Sequence, residues 1–129
     1  MKLNPDCIRG LLLEVEDATD FLRMYEYDSK KPQTGHLKDF SREEILYHIR
    51  QCSLSELILG ATYFDGGETV IITDLSPAGH KFLNNVRQDT IWNHTKTIAE
   101  KVGSKSLDVL IQISSNVITE IIKAQLGLP

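Results

Sequence analysis

The stretch ATYFDGGETVIITDLSPAGHKFL (61–83) decides how the rest of the chain is read. Two β-prone runs, ATYF and TVII, flank DGGE, whose Asp-Gly-Gly centre supplies the positive-φ residues that a tight hairpin needs. The second strand is expected to end near Thr73–Asp74. Ser76 is placed to cap a new helix and Pro77 suits its first position, where a missing N–H costs nothing. Phe82, Leu83 and Val86 then form a buried face at helical spacing. Gly79, His80 and the serine therefore read as a strand-to-helix junction. SPAG is not a GxSxG nucleophile elbow, and DGG has neither a Walker run nor a dinucleotide fingerprint around it.

Upstream, FSREEILYHIRQC (40–52) opens with Ser41 and Glu44 at capping-box spacing. Ile45, Ile49 and Cys52, with Leu46, turn inward. Tyr47, Arg50 and Gln51 lie largely on the other side, with His48 at the boundary. This helix is expected to end between 52 and 56. The segment 4–17 predicts another helix, capped by Asn4, with Pro5 at its first position and Ile8, Leu11, Leu12 and Val15 on one face. Residues 17–27 are expected to extend that helix or form a second short one. The polar stretch 28–35 reads as a loop, and HLKDF (36–40) as a short strand. Downstream, 84–103 predicts a helix buried through Ile91, Ile98 and Val102, with Trp92 at the edge. A long apolar helix follows over 106–127.

A capped helix followed at once by a glycine-turned antiparallel hairpin is the order of a winged helix, the hairpin being the wing. The expected fold class is α+β, a winged helix-turn-helix-like domain over 1–87 with a C-terminal helical extension over 88–129.

The 129-residue chain is 41% apolar and 25% charged, with a formal net charge of -4. That composition suits a folded domain with its own core. Cys7 and Cys52 stand far apart without CxxC spacing and read as buried thiols of a reducing compartment. No signal peptide is visible and no apolar run approaches a membrane span, so a cytoplasmic protein is expected. His36, His48, His80 and His94 form no ligand-spaced set. Neither a metal, a cofactor nor an enzyme activity is expected.

Four blocks carry a likeness to a known family: MKLNPDCIRGLLLEVE at the start, FSREEILYHIRQC, ITDLSPAGHKFLNNVRQDTIWNHTK, and KVGSKSLDVLIQISS. Together they resemble the domain of unknown function 2513 family, small bacterial proteins many of which come from phages and prophages. The resemblance implies a winged-helix protein with a helical extension and no established activity. LSPAG is also similar to the Leu-Thr-Pro-x-Gly segment that closes the wing of many winged-helix regulators, matched by Leu75, Pro77 and Gly79. Family members commonly carry Ala-Gly-Leu-Ile where this chain has Ser55, Glu56, Leu57 and Ile58. With glutamate in place of that glycine, the turn is expected to differ or the helix end to shift.

Two function classes follow. The first is a DNA-binding regulator, with Ser41, Arg42, Tyr47, His48, Arg50 and Gln51 on the helix that would meet double-stranded DNA, and Lys30, Lys31 and Lys38 as phosphate contacts. Charge argues against it. Residues 41–87 hold four basic and six acidic side chains, and the wing tip Asp65, Gly66, Gly67 and Glu68 has no cation for a phosphate. The second class is a non-catalytic protein-interaction module using the acidic wing and the apolar C-terminal helices. The breadth of the apolar face on 106–127 also predicts a homodimer through Leu110, Ile111, Val117, Ile118, Ile121 and Ile122.

Overall fold

Helix α1 (Pro5–Ala18) begins as its sequence dictates, with the Asn4 side chain accepting from the Asp6 amide and Pro5 in the first turn. Its inward stripe of Cys7, Ile8, Leu11, Leu12 and Val15 is fully buried. The computed structural model describes residues 1–104 and 106–129. They form two compact units, Met1–His80 and Lys81–Pro129.

In the first unit α1 does not continue past Thr19, whose hydroxyl turns back to the Val15 carbonyl at 2.7 Å. The chain then enters strand β1 (Tyr25–Asp28), which pairs antiparallel with β4 (Thr69–Ile72), Tyr27 opposite Val70. The expected helical extension over 17–27 is thus wrong. The short strand expected over 36–40 is wrong as well. Gly35–Leu37 is one 3-10 turn, and Leu37 is buried. Tyr25 and Tyr27 are β-formers whose partner strand lies more than forty residues away, so no local signal announces it.

Helix α2 (Arg42–Leu54) starts on Ser41, which accepts from the Glu44 amide at 3.1 Å. The Glu44 carboxylate reaches across to the Asn4 amide group at 3.0 Å, fastening the start of α1 to α2. After α2 come β2 (Ile58–Leu59), β3 (Thr62–Phe64), β4 and β5 (Asp74–Leu75). The predicted hairpin is present. β3 pairs with β4, Phe64 opposite Thr69, around a turn in which Asp65, Gly66 and Gly67 all take positive φ. Sheet order is β1-β4-β3, while β2 and β5 form a separate two-stranded ladder.

The end of α2 corrects the expectation at Glu56. The helix stops at Leu54, and Glu56 itself adopts φ 59°. Its amide bonds the Ser53 carbonyl and the Leu57 amide reaches back to the Cys52 carbonyl at 2.9 Å. A glutamate therefore holds the left-handed position that glycine would fill more cheaply.

Helix α3 (Pro77–Val86) carries the chain into the second unit, which contains α4 (Asp89–Val102) and α5 (Leu107–Leu126). α4 and α5 pack as a hairpin. Trp92, Thr95 and Ala99 of α4 and Leu107, Leu110, Ser114 and Val117 of α5 are buried. The α4 stripe expected through Ile91, Ile98 and Val102 is rotated, and Val102 is 63% exposed. Small residues (Thr95, Ala99 and Ser114) sit among the larger Trp92, Leu107, Leu110 and Val117 in the buried seam, while Val102 is turned outward.

Candidate functional site

The side chains that α2 offers to solvent are set by its helical period. Ile45, His48, Ile49 and Cys52 point into the core. Arg42, Glu43 and Arg50 are exposed, and Leu46, Tyr47, Gln51 and Ser53 are half-buried. His48 is therefore misplaced among the DNA contacts of the sequence reading. It is 0% exposed, its Nε2 accepts the Asn4 backbone N–H at 2.8 Å, and its Nδ1 lies 2.7 Å from the Glu44 carbonyl. The carbonyl can only accept, so Nδ1 carries the proton. Nε2 ties α2 to the start of α1, and Nδ1 bonds back to the i−4 carbonyl within α2.

The exposed cations are largely engaged by neighbours. Arg42 Nε meets Glu43 Oε1 at 3.0 Å, which holds the Glu43 carboxyl below the usual carboxylate range. The Arg50 guanidinium sits 5.4 Å from the centre of the Tyr47 ring. Lys30, expected as a phosphate contact, lies 3.5 Å from Asp65 and 3.9 Å from Glu68, so its charge is shared with the acidic hairpin turn. Lys31 and Lys38 are exposed.

Between α2 and the β3–β4 hairpin lies a groove of about 750 Å³, walled by Leu46, Tyr47, Arg50, Leu54, Tyr63 and Gly67. Leu54 is 72% exposed, and Tyr63 and Phe64 on the edge strand β3 are nearly half exposed. The sequence reading missed Leu54 and Tyr63. The signal available was Tyr63-Phe64 at the edge of a hairpin, where both faces of a three-residue strand are open. A second apolar feature sits between α1 and β1. The Asp20 carboxylate accepts the Leu22 and Arg23 amides, each at 2.8 Å, and Arg23 Nε at 2.7 Å. The turn so closed holds Phe21 and Leu22 almost wholly in solvent.

The whole-chain pattern also matches a family. The model described as "Hypothetical protein (DUF2513)" fits residues 2–105. The chain belongs to the DUF2513 family. An uncharacterized protein of Haemophilus influenzae is 32% identical over 124 residues, covering 95% of this chain and 99% of that protein. No solved structure matches the chain.

In this DUF2513 member the chemistry-bearing side chains do not converge. Burial pushes the Cys7 and Cys52 thiols up to about 12, far from the thiolate needed for nucleophilic or redox work. His36 pairs with Asp17 at 3.3 Å, and His80 lies 3.8 Å from Asp74. Among the described residues, no three His, Cys, Asp or Glu side chains are grouped to hold a metal ion. The Ser76 hydroxyl donates to the Glu56 carbonyl at 2.5 Å and accepts from the Gly79 amide at 2.9 Å. It is a structural clamp. No helix of the described chain is long and apolar enough to cross a membrane.

Proposed function

We propose that this protein is a cytoplasmic, non-catalytic winged-helix interaction module that takes an apolar protein segment into the groove between α2 and the wing. The observation that carries the reading is the groove's lining, where Leu46, Leu54 and Tyr63 stand beside an arginine already stacked on Tyr47. Partly exposed aromatic and aliphatic anchors around one stacked arginine are the composition of a protein contact surface. The winged-helix assignment is supported by the order helix, strand, turn, helix, hairpin, with β1 added to β4.

A displayed random-peptide library selected on the intact protein tests this. Peptides rich in apolar residues should bind the wild type and lose at least tenfold in affinity for Leu54→Asp or Tyr63→Asp. Recovery of no specific peptide, or equal binding to both variants, sinks it.

The second reading is binding of double-stranded DNA through Arg42, Arg50, Gln51, Lys31 and Lys38. It is favoured by the exposure of the Ser41-capped start of α2. Mixed-sequence duplexes titrated at low and at physiological salt decide it, with R42E/R50E as control. Binding at low salt that the double variant abolishes would favour DNA over the peptide groove.

A further inference from the structure

The apolar surface of α5 exceeds what α4 covers. The side facing α4 uses Leu107, Leu110, Ser114 and Val117, so Leu110 and Val117 are spent inside the hairpin and drop out of the expected self-association set. A second stripe remains. At 100° per residue, Ile111, Ser115, Ile118, Ile122 and Leu126 fall on one side of the helix. Ile111, Ser115 and Ile118 are half-buried, Ile122 is 51% exposed and Leu126 67% exposed. Ile121 belongs instead to a groove of about 400 Å³ with Ile98, Ile113 and Val117.

α5 is also six residues longer than α4, twenty against fourteen. Its end is nevertheless closed by an ordered cap. Gly127 takes φ 69°, its amide bonds the Ala124 carbonyl, and the Leu128 amide bonds the Lys123 carbonyl at 2.9 Å.

We infer that a second copy of this chain covers the stripe, through an antiparallel two-fold contact between the two α5 helices. The stripe is self-complementary in size and charge. With the two-fold axis between Ile118 and Thr119, Ile111 meets Leu126 of the second copy and Ser115 meets its Ile122, a small residue against a large one each time the seam passes Ser115. Between Ile111 and Leu126 no charged residue lies on the stripe, and Asp108 continues its line one turn before Ile111. Glu120 and Lys123 pair with each other at 3.6 Å and sit roughly 100° to 160° around the helix from it. Between Ile111 and Leu126 identical surfaces therefore meet without like-charge cost, and an oppositely charged partner finds nothing to hold there.

The seam from Ile111 to Leu126 is about 22 Å long, fifteen steps at a helical rise of 1.5 Å. It is narrower than a standard interface of roughly 20–30 residues a side. The dimer is accordingly weak and concentration-dependent.

Sedimentation equilibrium from about 5 to 500 µM should show the mass climbing from 14.6 kDa toward twice that value. Ile122→Glu should hold it at the monomer with unchanged far-UV circular dichroism. Register is read by cysteine cross-linking. A mixture of I111C and L126C should give a disulfide-linked dimer under mild oxidation, while either variant alone should not, its own two sulfurs lying about 22 Å apart. A constant 14.6 kDa mass overturns the inference, as does I111C linking to itself or a mixture that does not link. If Ile122→Glu fails to fold, the cysteine mixture decides alone.

Discussion

Glu56 and His48 show how far a single position carries. Glu56 occupies φ 59° at the end of α2, a conformation costing a residue with a Cβ roughly 1 kcal/mol. Glu56→Gly should raise stability by about 0.5–1 kcal/mol, read as a higher urea midpoint at unchanged slope. An unchanged midpoint would mean that the left-handed turn is not strained. His48 is the opposite case, a buried polar ring with both nitrogens bonded. His48→Ala removes packing and leaves the Asn4 amide without its acceptor, at a cost of about 2–4 kcal/mol. The sequence put His48 at the boundary of the helix because periodicity assigns an angle, and an angle does not reveal a donor waiting forty-four residues away. The same periodicity placed Ile45, Ile49 and Cys52 correctly.

At the scale of elements, the link between the β2–β5 ladder and α3 is held at several points. Leu75 pairs with Ile58, the Ser76 amide bonds the Leu57 carbonyl at 3.0 Å, and Ser76 caps α3 while holding the Glu56 carbonyl. A Cβ on Gly79 would lie 2.1 Å from the Leu57 carbonyl oxygen. Gly79→Ala should therefore destabilise the protein by about 2 kcal/mol or more, measured by denaturant unfolding. A loss below 0.5 kcal/mol on that roughly 1–3 kcal/mol scale would show the joint to be compliant. The cap and the glycine were legible in LSPAG, as the β3–β4 hairpin was in DGGE. What that pattern could not supply was the Leu57 carbonyl on which the joint closes. β1 was invisible for the related reason that a four-residue strand is stabilised by its partner rather than by its own composition.

At the scale of the molecule, burial of Cys7 and Cys52 links folding to pH. Both thiols are pushed up to about 12 in the folded protein, against about 8.5 in an unfolded chain. The folded state keeps its thiol protons where the unfolded state loses them, so stability is full below about pH 8.5 and falls between that value and about pH 12. The slope reaches up to about 1.4 kcal/mol per pH unit for each thiol. Urea midpoints should thus fall from pH 8.5 to 10.5, and Cys7→Ala/Cys52→Ala should flatten that fall. In the native protein at pH 8 both thiols should resist a thiol reagent until the chain unfolds.

The sequence by itself determined the elements whose signals are local: capped α1 and α2, the glycine-turned hairpin, the Ser-Pro entry to α3 and the long apolar α5. Helical period, capping and turn chemistry act within a few residues, so they survive reading one residue type after another. Only the tertiary structure decided which surfaces those elements leave free. It buried His48, committed Lys30 to the β3–β4 turn, placed Leu110 and Val117 inside the α4–α5 hairpin and opened Leu54 and Tyr63 along the groove. Each of these depends on a partner distant in sequence, and burial is a property of the pair.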